Sequence, residues 1–277
     1  MSAREMMTFI HFFSLIIGDL IPDECEVWNF FLTLLKMVDV LQSSKFNQSK
    51  ILYLKQLISQ HNRMYVALFN DNLKPKHHFL IHYPTVIQYS GPPKNYWCFR
   101  FEGKHKELKM YARSTCSRKN ITLTLAKKFQ FKFANFLLQP NIENIVVDSK
   151  YSICTLHFEN ISKIIHQPLT TYMCYSQVNY LGTLYKRGYY LTKFLDEMCL
   201  YEIVEIIVVN NSTNKIFILS KQIQVLDFHV QFEAFEVDKN TIVNNCIIHG
   251  IDEFSGPPIN ITKVASGKYM IRLKEFF

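Results

Sequence analysis

The feature that most constrains this chain is a change of pattern near Pro140. Before it, apolar residues recur every three or four positions; after it they come in short runs rich in Val, Ile, Tyr and Phe, some alternating with polar residues. The first spacing belongs to helices and the second to strands, because side chains repeat every ~3.6 residues around a helix and every second residue along a strand. A chain of 277 residues that is 48% hydrophobic can bury a sizeable core, in one large domain or two ordinary ones. The expected fold class is α+β. A helical array over 1–140 is followed by a β-barrel-like or sandwich domain over 141–277, with the boundary between 138 and 148.

Within the helical half, residues 3–20 fit a short apolar helix, and Phe9 to Ile17 is read as buried. Gly18-Asp-Leu-Ile-Pro22 stops it far short of a membrane span, and no small-residue cleavage site follows. A core helix at the first residues points to the tail of a longer ancestral protein. Pro22-Asp-Glu predicts the next helix start, with Val27, Phe30, Phe31, Leu34, Leu35, Val38 and Leu41 along one stripe. After a break at Ser43-Ser44, Asn47 or Ser49 can cap a third helix. Its apolar face would carry Ile51, Leu54, Leu57, Ile58, Tyr65 and Leu68, and Asp71-Asn72 would end it. His77 to Tyr83 predicts a short helix that Pro84 interrupts or kinks. Phe99 to Cys116 is helical with Phe101, Leu108 and Ala112 inward. Asn120 to Leu138 is amphipathic, with Lys119, Lys127, Lys128 and Lys132 outward among Phe129, Phe131, Phe133 and Phe136.

Strand signals follow at 145–147, 151–158, 177–180, 189–191, 203–209, 216–219 and 232–237, with turns at Lys186-Arg-Gly188 and around Asn210 to Asn214. Several short strands at this spacing predict a barrel or sandwich.

Charge is uneven. Residues 1–140 hold 19 basic and nine acidic residues, whereas residues 141–277 hold 12 and 14. Lys74 to Lys132 concentrates the excess: 13 Lys/Arg against Glu102 and Glu107, with four of the ten His. A basic half beside a near-neutral one points to a polyanion partner, and the ordinary alternative is Lys solvating helix surfaces. Lys104, Lys106, Lys109 and Arg113 lie close together on one predicted helix, and Lys127 and Lys128 on the next. All six are candidate phosphate contacts. Tyr96, Trp97 and Tyr111 lie near basic residues and are candidates for stacking on unpaired bases.

The remaining chemistry is sparse. His77, His78, His82, Cys98 and His105 lack the short spacings of a zinc site, and hydrogen-bonded structural histidines are favoured; no metal is assigned. The seven Cys are scattered and form no C-x-x-C, as free thiols of a reducing compartment do. No phosphate-binding glycine loop, dinucleotide fingerprint or nucleophile elbow is present, so nucleotide hydrolase, dehydrogenase and serine hydrolase classes have no support. Glu102 sits among Arg100, Lys104, His105 and Lys106. One carboxylate so placed could ligate Mg²⁺, and two-metal chemistry would need further acids.

Lys74-Pro-Lys-His-His-Phe-Leu-Ile-His-Tyr-Pro84, Gly91-Pro92, Trp97-Cys-Phe-Arg-Phe-Glu-Gly-Lys-His105 and Asn120-Ile-Thr-Leu-Thr-Leu-Ala126 together resemble the C-terminal part of CACTA-like transposon-encoded proteins. Gly18-Asp-Leu-Ile-Pro22, Val27-Trp28 and Phe228-His229 with Ala234-Phe-Glu-Val237 also look similar. The resemblance implies an ancestor with an RNase H-like domain that cuts DNA with three acids and a divalent metal. Glu102 would be the third acid, and the upstream strands expected to carry the other two are absent. The resemblance further implies a small β domain at the C-terminal end.

The expected function is that of a transposon-derived, catalytically incomplete DNA-binding protein, nuclear, with no membrane partner and no cofactor unless Glu102 belongs to a complete Mg²⁺ site. The alternatives are a protein-interaction or assembly module, acting with a partner chain or as a homo-oligomer, and a Mg²⁺-dependent nuclease using Glu102.

Overall fold

The computed structural model describes residues 3–116, 119–138, 145–147, 150–151, 173–194, 197–209, 215–239 and 246–273. Helices α1 (Ala3–Ile17), α2 (Glu26–Leu41), α3 (Gln48–Phe69), α4 (Pro75–Ser90), α5 (Phe99–Ser114) and α6 (Ile121–Leu138) precede an antiparallel β region. That region curls into a half-barrel, so the fold is α+β with helices first and strands second. Two compact units are present: Met1–His11 with Thr33–Glu143, and Phe12–Leu32 with Asn144–Phe276.

In the helical unit, α3 is the organising element. The Asn47 side chain accepts from the Lys50 amide at 2.8 Å and caps its start. Asn70 closes its end in the left-handed conformation, with φ 47°. Ile51, Leu54, Leu57 and Ile58 form its buried face, and Met37, Val40 and Ile87 complete the cluster. Sequence pattern placed these α3 positions correctly because their spacing follows the helical period.

The sequence predicts that Pro84 interrupts or kinks the helix near it. α4 runs for 16 residues with Pro84 inside it, so the proline does not interrupt the helix. Pro75 sits in its first turn and the Lys74 amide donates to His77 Nδ1 at 2.9 Å, which fixes the start. An interior proline costs roughly 3 kcal/mol. Pro84 is itself buried, and burying Ile87 one turn on offsets much of that cost, contributing about 1.5–3 kcal/mol.

α2 begins at Glu26 rather than at Pro22, because Glu24 takes a left-handed φ of 62° and prevents an earlier helical turn. Its inward stripe is also shifted. Val27 is 56% exposed, whereas Trp28, Leu32, Leu35 and Val40 are buried.

The sequence assigns residues 12–32 to the helical domain; in the structure they pack in the β unit. Phe12 and Leu15 join Phe232, Ala234, Val264 and Met270 in one apolar cluster. Ser14 Oγ donates to the Phe232 carbonyl at 2.8 Å, and the Trp28 indole N–H donates to the Gln231 carbonyl at 3.0 Å. Gln231 Nε2 in turn donates to the Gly18 and Ile21 carbonyls, both at 3.2 Å. Gly18 is required where it stands, since a Cβ there would lie 2.6 Å from the Phe232 ring.

The strands are β1 (Ile145–Val147), β2 (Lys150–Tyr151), β3 (Met173–Tyr175), β4 (Gln177–Tyr180), β5 (Thr183–Lys186), β6 (Tyr190–Phe194), β7 (Met198–Val209), β8 (Lys215–His229), β9 (Ala234–Asp238), β10 (Cys246–Gly250), β11 (Ser255–Ile259), β12 (Thr262–Lys263) and β13 (Tyr269–Ile271). The long pair β7–β8 forms the spine, and β1, β4 and β5 make a separate three-stranded sheet. β8 changes partners along its length: residues 215–223 pair with β7, and residues 224–229 pair with β9. Register shifts at Ile203/Glu205 and Val225/Phe228 mark where the sheet bends, as β-bulges do. Ile206 and Ile207 point to opposite faces and are both fully buried, so β7 is central.

The expected strand at 232–237 starts at Ala234; Phe232 lies in the preceding turn, where Glu233 has φ 50°. Of the expected strand 151–158 only Tyr151 is described, and the expected turn at Asn210 to Asn214 lies outside the described residues.

Candidate nucleic-acid interface

α5 and α6 form an antiparallel-type hairpin whose two ends are tied by side chains. Ser114 and Thr115 hydroxyls donate to the Tyr111 carbonyl at 3.1 and 2.7 Å, satisfying an orphan acceptor at the end of α5. Asn120 Oδ1 accepts from the Leu123 amide at 3.2 Å and caps α6.

Glu107 is the hub of the hairpin. It accepts from Lys132, from the Tyr111 hydroxyl at 3.0 Å and from Lys104 at 3.3 Å. The Lys132 hydrogen bond, and then that of Tyr111, hold its carboxyl down at about 2. The same bond raises Lys132. Lys104 also lies over the Phe129 ring at 5.4 Å. Lys128 donates to Thr115 Oγ1 at 2.8 Å and lies 6.0 Å from the Tyr111 ring. Lys104 and Lys128 thus belong to the seam of the hairpin.

The other predicted cations stand elsewhere. Lys106, Lys109 and Arg113 are three or four residues apart, on the side of α5 opposite to Lys104 and Glu107. All three are exposed, and none has an ion-pair partner among the described residues. Glu102 is exposed on the same stripe. Lys127 is exposed on α6, and the helical period sets it beside Leu123 and Phe131, away from Lys128 and Lys132. Phe101, expected inward, is 66% exposed, whereas Leu108 and Ala112 are half-buried as expected. By the helical period Phe101 shares the stripe of Leu108 and Ala112, so its exposure comes from its place in the first turn of α5, where that stripe is not covered.

Of the aromatics considered for base stacking, Tyr96 is exposed, Trp97 packs edge-on against Phe99 at 4.8 Å, and Tyr111 is engaged at Glu107. The histidines separate into distinct roles. His77 caps α4 and packs 4.4 Å from the Tyr65 ring. His78 and His82 meet each other, and His105 is exposed on α5. Among the described residues no group of three or more His, Cys, Asp or Glu is placed to hold a metal ion. Glu102 alone does not supply the donor set of a two-metal DNA-cutting site, so the residues described do not fit the metal that the resemblance implies.

Sequence reasoning singled out Glu102 and gave Glu107 no role. The signal that would have found Glu107 is its spacing: Lys104 lies three residues before it and Tyr111 four after it, both on one helical face.

No protein-family model matches the chain, and neither a curated protein nor a solved structure matches it. Among the described residues, no helix is long and apolar enough to cross a membrane.

Proposed function

We propose that this is a transposase-derived nuclear protein that binds DNA through phosphate contacts and does not cut it alone. The observation that carries the reading is the exposed Lys106, Lys109, Arg113 stripe. The seven residue-to-residue rises from Lys106 to Arg113 span about 10 Å. One strand of B-DNA offers roughly three phosphates over that axial length. Lys127 adds a further exposed cation on the neighbouring helix, while Lys104 and Lys128 hold the hairpin in shape.

The reading is tested by electrophoretic shift at 50 and 200 mM salt. Four phosphate contacts give a log–log salt slope of about −3.6, hence roughly 100-fold weaker binding at the higher salt. Replacing Lys106, Lys109 and Arg113 together by Gln should remove about 2.7 from that slope. Glu107→Gln should act in the opposite direction, since it releases Lys104 and Lys132 from their acid. A folded wild-type chain that gives no shift at low salt overturns the reading. A nicking assay with Mg²⁺ should show no cleavage by wild type; cleavage that is lost in Glu102→Ala would instead establish a nuclease.

A second reading, a protein-interaction module, is favoured by α6. None of its 18 residues is buried, and Phe131, Phe133, Phe136, Leu137 and Leu138 are at least 49% exposed. A helix apolar on most of its sides ordinarily lies inside a protein. Mass measurement by light scattering distinguishes the readings: self-association that Phe131→Ser or Leu138→Ser abolishes favours assembly.

A further inference from the structure

His78 and His82 lie one turn apart on α4, with their Nε2 atoms 3.1 Å from each other. Their rings stand 4.8 Å apart and nearly perpendicular. Both side chains are exposed. The helical period sets them on the face opposite Leu80, Pro84 and Ile87, and Pro84 and Ile87 are buried. The pair is therefore presented on a helix already fixed by its other side.

From this geometry we propose that His78 and His82 form a two-point chelate for a divalent transition-metal ion. Imidazole nitrogens bind zinc at about 2.0–2.1 Å. Two such bonds with their nitrogens 3.1 Å apart subtend an angle of about 98° at the ion. That value lies between the right angle of octahedral or tetragonal sites and the tetrahedral angle, so one ion can be shared without moving the helix. In the metal-free pair one neutral ring donates its Nε2 proton to the other. On binding, that ring exchanges to its Nδ1–H tautomer through solvent, and both rings rotate about their side-chain bonds by about 40° so that the two Nε2 lone pairs leave the N–N line and face the ion. Two nitrogen ligands, with no carboxylate grouped beside them among the described residues, select Zn²⁺, Ni²⁺ or Cu²⁺ over Mg²⁺ and Ca²⁺, which need oxygen donors. Structural zinc sites use four protein ligands and catalytic ones three. With two, water fills the remaining positions, and the ion is exchangeable rather than part of the fold.

The test is calorimetric titration of the untagged full chain with zinc chloride, with folding of every variant checked by circular dichroism. Wild type should bind one equivalent that His78→Ala or His82→Ala weakens by at least about tenfold, while His105→Ala leaves it unchanged. The decisive variant moves one ligand out of register: His82→Ala with Tyr83→His keeps the histidine count but turns the second ring away from the first, and it should not bind. Absence of binding by folded wild type, or binding retained when His78→Ala and His82→Ala are combined or in the register-shifted variant, overturns the proposal.

Discussion

Ser220 and His249 face each other across β8 and β10, and the pair carries a pH dependence. Ser220 Oγ lies 3.0 Å from His249 Nδ1 and donates to the Ile247 carbonyl at 3.2 Å, so the ring nitrogen donates to the hydroxyl. Tyr201 and Phe254 flank the ring edge-on at 4.9 and 5.2 Å. Burial lowers the His249 pKa below its ordinary value of 6.5. Above that value the ring is neutral in both folded and unfolded chain, and its contribution is complete. As pH falls below it, the unfolded chain takes the proton first and stability is lost, at up to about 1.4 kcal/mol per pH unit. His61, also lowered by burial, adds a loss of the same sign in the helical unit. Thermal unfolding between pH 7.5 and 5 should thus show a falling midpoint, and His249→Gln should flatten part of that slope. A slope unchanged in the variant would remove His249 from the account. At this scale the sequence was least informative: nothing in its local pattern pairs Ser220 with His249, 29 positions apart, or brings Lys132 of α6 to Glu107 of α5, 25 positions away. Those assignments depend on which helix or strand lies alongside, and a single chain does not carry that information in its spacing.

At the scale of elements, the β4–β5 hairpin turns through Leu181 and Gly182, with φ of 50° and 78°. A two-residue loop with both φ positive is the type I′ turn, whose twist matches that of paired strands. Gly182 meets the requirement without cost. Leu181 does not, since an L-residue with a bulky side chain pays roughly 1–2 kcal/mol in this region. Its side chain is 65% exposed and returns little by burial. Leu181→Asn should therefore raise the stability of the β unit by about 1 kcal/mol, read as a higher denaturant midpoint with unchanged m-value. A lower midpoint would mean that the leucine contributes contacts worth more than its strain. Elements were also where the sequence was most legible. The α3 face, the Asn47 cap and the later strand runs follow directly from local periodicity. The helix start expected at Pro22 and the interruption expected at Pro84 failed for one shared reason. Proline restricts where a helix prefers to start or stop, but a left-handed Glu24 and the burial of Ile87 decided the outcome.

At the scale of the whole molecule, the units do not divide at the change of pattern alone. Residues 12–32 belong with the strands although their sequence is helical, because Leu15, Trp28 and Gly18 meet Phe232 and Gln231. Deleting one buried Leu commonly costs about 2–5 kcal/mol, against a typical domain stability of about 5–15 kcal/mol. A fragment of residues 141–277 loses Leu15, Phe12 and the Trp28 hydrogen bond together. It should unfold without a sharp transition and bind an apolar dye, and a synthetic peptide of residues 12–32 should restore cooperativity. A fragment that melts as the full chain does would show that the segment adds nothing.

That same segment sets an order of events during synthesis. Ser14 leaves the ribosome 218 residues before its acceptor, Phe232. At roughly 5–20 residues per second the wait is about 10–40 s. Through that interval Phe12, Leu15 and Trp28 have no β surface to enter. The β unit is completed only after nearly the whole chain has been made, so its yield in cells depends on how well the nascent N-terminal segment is kept from other apolar surfaces.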